Sequence, residues 1–337
     1  MNSAPLAARV GLVAIGRNEG DRLVRALNSV RGQVDVIVYV DSGSTDDSVA
    51  NARAVGAEVV ELDRSIPFTA ARARNLGWEH LVAGHPEIEL IQFIDGDCEL
   101  DAAWLPSAIA ELTANPQLGV VAGRRRERYR NDTIYNRLCD IEWDTPVGEA
   151  KAVGGDALMR VAALRQVGGF DPTLIAGEEP ELCVRIRQQG WTIRRLPLDM
   201  TWHDAAMTRF GQWWKRTVRA GHAFAEGAAR HGRPPERHWV RESRSIWLWG
   251  LIVPALAIGF TPLTRGLSLL VLVLYGLLAV RIWQYARRRQ LPMSDAVAYA
   301  LFTVLGKFPQ AVGQLKFYWH QLLGRPSQLI EYKGPAS

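Results

Sequence analysis

Asp95 and Asp97 close the apolar run Leu90-Ile91-Gln92-Phe93-Ile94 with a single glycine between them. Two carboxylates on a tight turn suit a hard divalent cation, because Mg²⁺ is held by one or two carboxylates and completes its shell with water and substrate phosphates. Gly96 between them lets a diphosphate approach the backbone closely. Asp and Gly are also ordinary turn residues, so the neighbours decide between a site and a turn. A second acidic group, Glu178, Glu179 and Glu181, follows Gly177 at the start of an expected helix that runs to Gln189 and stops at Gly190. A carboxylate there can take the proton of an attacking hydroxyl. The same residues also favour the positive end of the helix dipole. His203, in Trp202-His203-Asp204, is a ligand candidate or a structural histidine.

The elements that must position these residues follow a βα rhythm. Val10–Ile15 reads as a strand, followed by a loop at Gly16–Gly20 and a helix over Asp21–Val30, where Leu23, Leu27 and Val30 share a face. Val34–Val40 is the next strand and runs into Asp41, Ser42, Gly43 and Ser44. A helix over Ser48–Val55, a strand over Glu58–Leu62 and a helix over Ala70–Leu81 precede the Asp95 strand, and Thr192–Leu196 reads as a later strand. Such alternation implies right-handed crossovers and a parallel sheet, which binds ligands at the carboxyl ends of its strands. Asn18, Asp41, Arg74 and Asp95 come from four separate segments and all fall at that edge. Neither a Gly-x-Gly-x-x-Gly after the first strand nor a Walker-type Gly-Lys-Ser/Thr occurs, which removes the main support for dinucleotide and P-loop readings.

The ordered pieces AIGRNE (14–19), VDSGSTDDS (40–48), AARARNLG (70–77), IDGD (94–97) and the segment from Gly154 to Trp191 resemble the inverting family-2 glycosyltransferases of GT-A fold, of the bacterial polysaccharide and glycolipid assembly type. The resemblance covers roughly residues 9 to 220. It implies an α/β fold with a Rossmann-like mixed sheet and a nucleotide-diphosphate sugar as donor. Asn18 and Glu19 would lie near the nucleotide, Asp41 would accept from the base, and Arg74 would lie against base or diphosphate. Asp95 and Asp97 would carry ribose and a Mg²⁺ or Mn²⁺ ion, with His203 as a further metal ligand. Glu179 would be the general base beside Glu178, although the family usually has an aspartate at the position matching Glu179. The segment Gln212–Arg216 with Arg219 loosely resembles an acceptor-side helix, and a helix resting on lipid headgroups explains it equally well.

Charge divides the chain. Residues 1–199 hold 22 Lys and Arg against 29 Asp and Glu, about −7, whereas residues 200–337 hold 18 against 6, about +12. The basic residues of the second part flank apolar runs, which favours a membrane surface over nucleic acid. Ile246–Leu263 is an uncharged run long enough for a minimal span, and Leu267–Trp283 is a second, interrupted only by Arg281. Thr264-Arg265-Gly266 joins them into an expected helical hairpin. Arg237, Arg241 and Arg244 precede it and Arg287, Arg288 and Arg289 follow it, which puts both outer ends in the cytoplasm. Ala296–Leu323 reads as an interfacial or re-entrant helix. Cys98, Cys139 and Cys183 have no paired spacing, so neither a disulfide framework nor a zinc site is expected, and no cleaved signal peptide is visible.

The expected organisation is a GT-A domain over 1–225, a basic linker over 226–245, a transmembrane hairpin over 246–283 and a basic interfacial segment over 284–337. The expected activity is transfer of a sugar to a hydroxyl of a lipid-linked or saccharide acceptor, at the cytoplasmic face of the inner membrane, with no nucleic-acid partner. Two alternatives stay open. A polyprenyl-phosphate sugar synthase would need no general base, and a catalytically silent membrane scaffold would keep the fold only to bind a nucleotide sugar.

Overall fold

The computed structural model describes residues 8–325. The chain separates into two compact units. Among the described residues, the first comprises 8–129 and Glu142–Ala205, and the second comprises Arg130–Ile141 and 206–325.

The first unit is built on one nine-stranded mixed sheet. Its first half is the expected βα series: β1 Val10–Gly16, α1 Asp21–Ser29, β2 Val36–Asp41, α2 Ser48–Val55, β3 Glu58–Glu61, α3 Ala70–Gly84 and β4 Leu90–Asp95. These four strands are parallel in the order β3-β2-β1-β4, and the register sets Ile15 beside Asp95 and Gly16 beside Asp41. β1 and β4 are almost entirely buried, as near-continuous apolar runs in parallel sheets are.

The second half breaks the parallel pattern. β5 Cys98–Leu100, α4 Trp104–Ala114, β6 Leu118–Glu127, α5 Ile134–Trp143, β7 Gly148–Glu149, β8 Ala157–Arg160, α6 Val161–Val167, α7 Glu178–Gln188 and β9 Thr192–His203 follow. β8 runs antiparallel between β4 and β6, β9 runs parallel to β6, and β5 and β7 pair antiparallel with β9. The strand expected to stop at Leu196 continues to His203, so His203 lies within β9 rather than after it. Pro197 and the charged residues mask that continuation in the sequence, and register shifts between β6 and β9 accommodate it. The three cysteines are free and buried.

α3 lies unusually close to the sheet at Gly77, where an added Cβ would stand 2.4 Å from Val13 Cγ1 and 3.0 Å from Val40 Cγ2. Both neighbours are β-branched and fixed by the sheet, so they have little room to yield. Gly77→Ala is expected to cost about 1–3 kcal/mol, read as a lower unfolding midpoint in urea.

The second unit is helical. It contains α8 Phe210–His231, α9 Val240–Trp247, a π-helical turn Leu248–Ile252, α10 Val253–Gly259, α11 Thr261–Thr264, a 3-10 stretch Leu267–Leu272, α12 Val273–Arg288, α13 Met293–Leu305 and α14 Lys307–Leu322. α8 runs unbroken through residue 225, the expected domain boundary, and the change of unit falls at Ala205 and Ala206 instead. Trp213 is buried and packs edge-on against Phe302, so it serves this unit's core. The two apolar runs form an antiparallel hairpin: Ser268 Oγ donates to Ala257 O at 2.6 Å, and Tyr275 OH donates to Trp249 O. Leu263, Leu267, Leu270, Val273 and Leu277 are each more than 60% exposed on it. Leu267–Arg288 is long and apolar enough to cross a membrane, the one such helix among the described residues. Ala296–Leu323, expected as a single helix, is divided at Gly306 into α13 and α14.

Candidate active site

Two loops at the carboxyl edge of β1 and β2 are stitched together by short polar side chains. Asn18, held at φ 57°, accepts from Thr45 N through Oδ1 at 2.7 Å, and its own N–H donates to Ser44 Oγ at 2.9 Å. Glu19 N and Gly20 N both donate to Ser48 Oγ at 3.1 Å, while the Glu19 carboxylate pairs with Arg22 at 2.9 Å. Asp41 is fully engaged within its own turn. Oδ2 accepts from Gly43 N and Ser44 N at 2.8 Å each, and Oδ1 accepts from Tyr39 OH and Ser44 Oγ. Four acceptances exhaust a carboxylate's ordinary capacity. The structure therefore gives Asp41 the work of shaping the loop, and the expected bond from a base needs one of these partners to let go. Beside the loop opens a cavity of about 310 Å³ lined by Arg17, Ser42, Gly43, Asp63, Arg64 and Phe68, with the Arg17 guanidinium 4.7 Å from the Phe68 ring centroid.

At the end of β4 a chain of carboxylates and guanidiniums crosses the sheet. Arg74, on the first turns of α3, is buried and reaches Asp95 Oδ1 through Nη2 at 2.9 Å. Its Nη1 lies 3.0 Å from Glu178 Oε1 and 3.0 Å from Glu179 Oε1. Arg125 Nη2 contacts the other oxygen of Asp95 at 3.1 Å and Asp156 Oδ1 at 2.7 Å, and its Nε donates to Asp156 Oδ2 at 2.7 Å. Thr201 Oγ1 donates to Asp156 Oδ2 at 2.6 Å, and Asp95 N donates to Asp156 Oδ1 at 3.2 Å. Burial opposes the Arg74 charge, but Glu179, Asp95, Glu178 and Asp156 more than offset it, so its pKa is raised. Burial and the neighbouring Glu178 push the Glu179 carboxyl up to about 7, against the pull of Arg74. A carboxyl titrating there matches the range in which a general base is most effective. Glu178 is the more deeply buried of the pair, its side chain 4% exposed against 15% for Glu179.

Asp95 and Asp97, expected to chelate together, face different partners. Among the described residues the ligand atoms converge in two groups, Asp97–Cys98–His203 and Asp95–Cys98–Asp156. His203 Nε2 lies 3.4 Å from Asp97 Oδ2, and Nδ1 lies 3.5 Å from Glu127 Oε2. Glu127 is itself fixed by Ala205 N and Tyr129 N, each donating at 3.0 Å. A carboxylate on Nδ1 favours the tautomer that turns the Nε2 lone pair outward, here towards the Asp97 carboxylate. Two electron-rich atoms in that arrangement fit a divalent cation, the carboxylate being a donor for Mn²⁺ or Mg²⁺ and the imidazole one for transition-metal ions. Burial and the nearby carboxylates raise the Cys98 pKa well above its ordinary value, so the thiol stays protonated beside them. Asp97 and His203 therefore suit a metal, whereas Asp95 is held by arginines.

Arg125, Asp156 and Glu127 escaped the sequence reading. The run Arg124-Arg125-Arg126 at the end of an apolar stretch was the available signal, yet only pairing across β6, β8 and β9 singles out the middle one. Glu127→Gln is expected to weaken Mn²⁺ binding about 10–100-fold, measured by the free-ion EPR signal, because the orienting charge on His203 is lost.

Residues 13–162 match the model of the family described as Glycosyl transferase family 2. The chain is 27% identical over 332 residues to the pre-mycofactocin glycosyltransferase of Mycobacterium tuberculosis, an alignment covering 94% of this chain and 66% of that relative. Among solved structures, it superposes with a TM-score of 0.63 at 18% identity on the mannosyltransferase PcManGT from Pyrobaculum calidifontis in complex with GDP-Man and Mn²⁺, covering 94% of this chain and 89% of that one. TarS residues 1–349 of S. aureus give a TM-score of 0.51 at 14% identity, covering 90% and 91%. These likenesses establish the GT-A fold.

Proposed function

We propose that the chain, whose residues 13–162 match the glycosyl transferase family 2 model, transfers a sugar, with inversion, from a nucleotide-diphosphate sugar to a hydroxyl of an acceptor presented at the inner membrane's cytoplasmic face. The observation that carries this reading is the Arg74 bridge, which sets the Glu179 carboxylate one guanidinium away from Asp95 at the donor edge of the sheet. Single displacement at an anomeric carbon requires a base opposite the leaving group, and the two carboxylates face each other across that bridge. The cavity beside Arg17 and Phe68, which Ser42 and Gly43 also line, suits a flat base. Asp97 and His203 would hold Mn²⁺ or Mg²⁺, which when bound supplies Lewis-acid neutralisation of the leaving diphosphate. Glu179 takes the proton of the acceptor hydroxyl as the new bond forms. The GDP-Man and Mn²⁺ bound in the PcManGT complex favour the same donor class.

The exposed apolar hairpin and its basic flanks favour an anchored enzyme acting on a lipid-linked acceptor in polysaccharide or glycolipid assembly. Tethering raises the effective concentration of enzyme near such a substrate. Detergent-solubilised full-length protein, given a panel of nucleotide sugars with Mn²⁺ and either a membrane lipid extract or soluble saccharides, tests this. Labelled sugar is expected in the lipid fraction, with inverted anomeric configuration by NMR. Retention of configuration, or transfer confined to soluble saccharides, would refute the corresponding half of the reading.

A further inference from the structure

Arg74 stands out as a cation placed for a donor phosphate whose Nη atoms are spent on protein carboxylates. Nη1 serves Glu178 and Glu179, and Nη2 serves Asp95. The residue is 2% exposed, and the backbone closes over it: a Cβ at Gly155 would stand 2.3 Å from Nη2 and 3.1 Å from Glu179 Oε1. Its Cα is fixed independently. The next residue, Asn75, donates to Phe170 O at 2.7 Å and accepts from Phe170 N at 2.8 Å, which ties the start of α3 to the turn preceding α7. The ring of Phe170 lies 5.7 Å from the Arg74 guanidinium carbon.

We propose that Arg74 is a positioning residue for the proton acceptor rather than a ligand of the donor diphosphate, with Glu178 as the anchor that keeps it in place. The proposal rests on Glu179 as the general base. One planar guanidinium, hydrogen-bonded through Nη2 to Asp95 and through Nη1 to Glu178, stands 3.0 Å from Glu179 Oε1 and so sets the separation of Asp95 from Glu179. Glu178, the deeper carboxylate, shares Nη1 and stops Arg74 from following Glu179 when the latter turns towards an acceptor. The other charged or titratable groups around this pair are Asp95 on β4, Asp156 before β8 and Cys183 on α7. The glycine at 155 is needed for the close approach, so the site is built around the guanidinium on three sides.

The test separates donor binding from transfer. Wild type, Arg74→Lys, Arg74→Met, Glu178→Gln and Gly155→Ala are prepared as full-length protein in detergent. UDP and GDP, each with Mn²⁺, serve as probes of nucleotide affinity by calorimetry, and single-turnover transfer is followed with the donor that wild type uses. Nucleotide affinity is expected to stay within about threefold of wild type in every variant, with the donor KM unchanged. The transfer rate is expected to fall about 100-fold in Arg74→Met and to recover in part in Arg74→Lys, as displacement of a catalytic group by about 1 Å does. Nucleotide binding weakened more than about tenfold in Arg74→Met would make Arg74 a donor ligand and overturn the proposal. Gly155→Ala keeps every charge, presses hardest on the Arg74 guanidinium and more lightly on the Glu179 carboxylate, and serves if Arg74→Met does not fold; an undiminished transfer rate there also overturns the proposal. Full activity of Glu179→Gln would instead refute the base itself, whereas an inactive Glu179→Gln with lost nucleotide binding in the Arg74 variants refutes only the positioning role.

Discussion

Glu179→Gln is expected to slow transfer about 10²–10⁴-fold while leaving nucleotide and metal binding intact, since that is the usual contribution of a positioned general base. Glutamine keeps the shape and one acceptor for Arg74, so the loss isolates proton transfer from packing. The wild-type rate should also depend on pH through this group. Its carboxyl is held up at about 7, so below that value it carries a proton and cannot accept another. Activity is expected to rise with pH through about 7 and to level off above it, with the rate at pH 6 about tenfold below the plateau. Stability has the opposite sign. The unfolded chain releases this proton near 4.5, so the folded state loses stability as pH rises from there to about 7. Glu179→Gln removes that loss and should be the more stable protein at pH 8, so a slow but stable variant cannot be dismissed as misfolded. Undiminished transfer by Glu179→Gln would instead favour a phosphate acceptor, which needs no base.

Asp97→Asn and His203→Ala are expected to abolish metal-dependent turnover and to weaken Mn²⁺ binding by at least about 100-fold, read from the EPR signal of free ion. The two side chains face each other at 3.4 Å, and Glu127 lies 3.5 Å from the other ring nitrogen. Asp95→Asn should behave differently. Its oxygens are bound by Arg74 and Arg125, so the expected loss falls on the transfer rate and on stability more than on Mn²⁺ affinity. Equal loss of Mn²⁺ affinity in all three would mean that Asp95 leaves its arginines to join the metal, and intact binding in all three would remove the metal from this position.

β1, β2 and β4 were legible because each is a largely buried apolar run followed by a polar loop, and the half-exposed β3 followed from the βα rhythm that a parallel sheet imposes. Of the later strands, only the first part of β9, Thr192–Leu196, was. β7 has two residues, β5 three, and β9 carries Arg194, Arg195, Pro197 and Asp199, so none shows a clean alternation. They are strands because distant segments pair with them, and pairing over that separation leaves no local mark.

The site divides in the same way. That Asp95, Asp97 and Glu179 stand where a strand ends or a helix begins can be read along the chain, because turn chemistry and helix punctuation are local. Which partner each one meets depends on the packing of distant segments. The register of β9 with β5 and β6 sets His203 between Cys98 and Glu127, and it sets Thr201 beside Arg125 within reach of Asp156. A shift of one residue in that pairing would turn each side chain to the opposite face of the sheet, and no spacing along the chain records it.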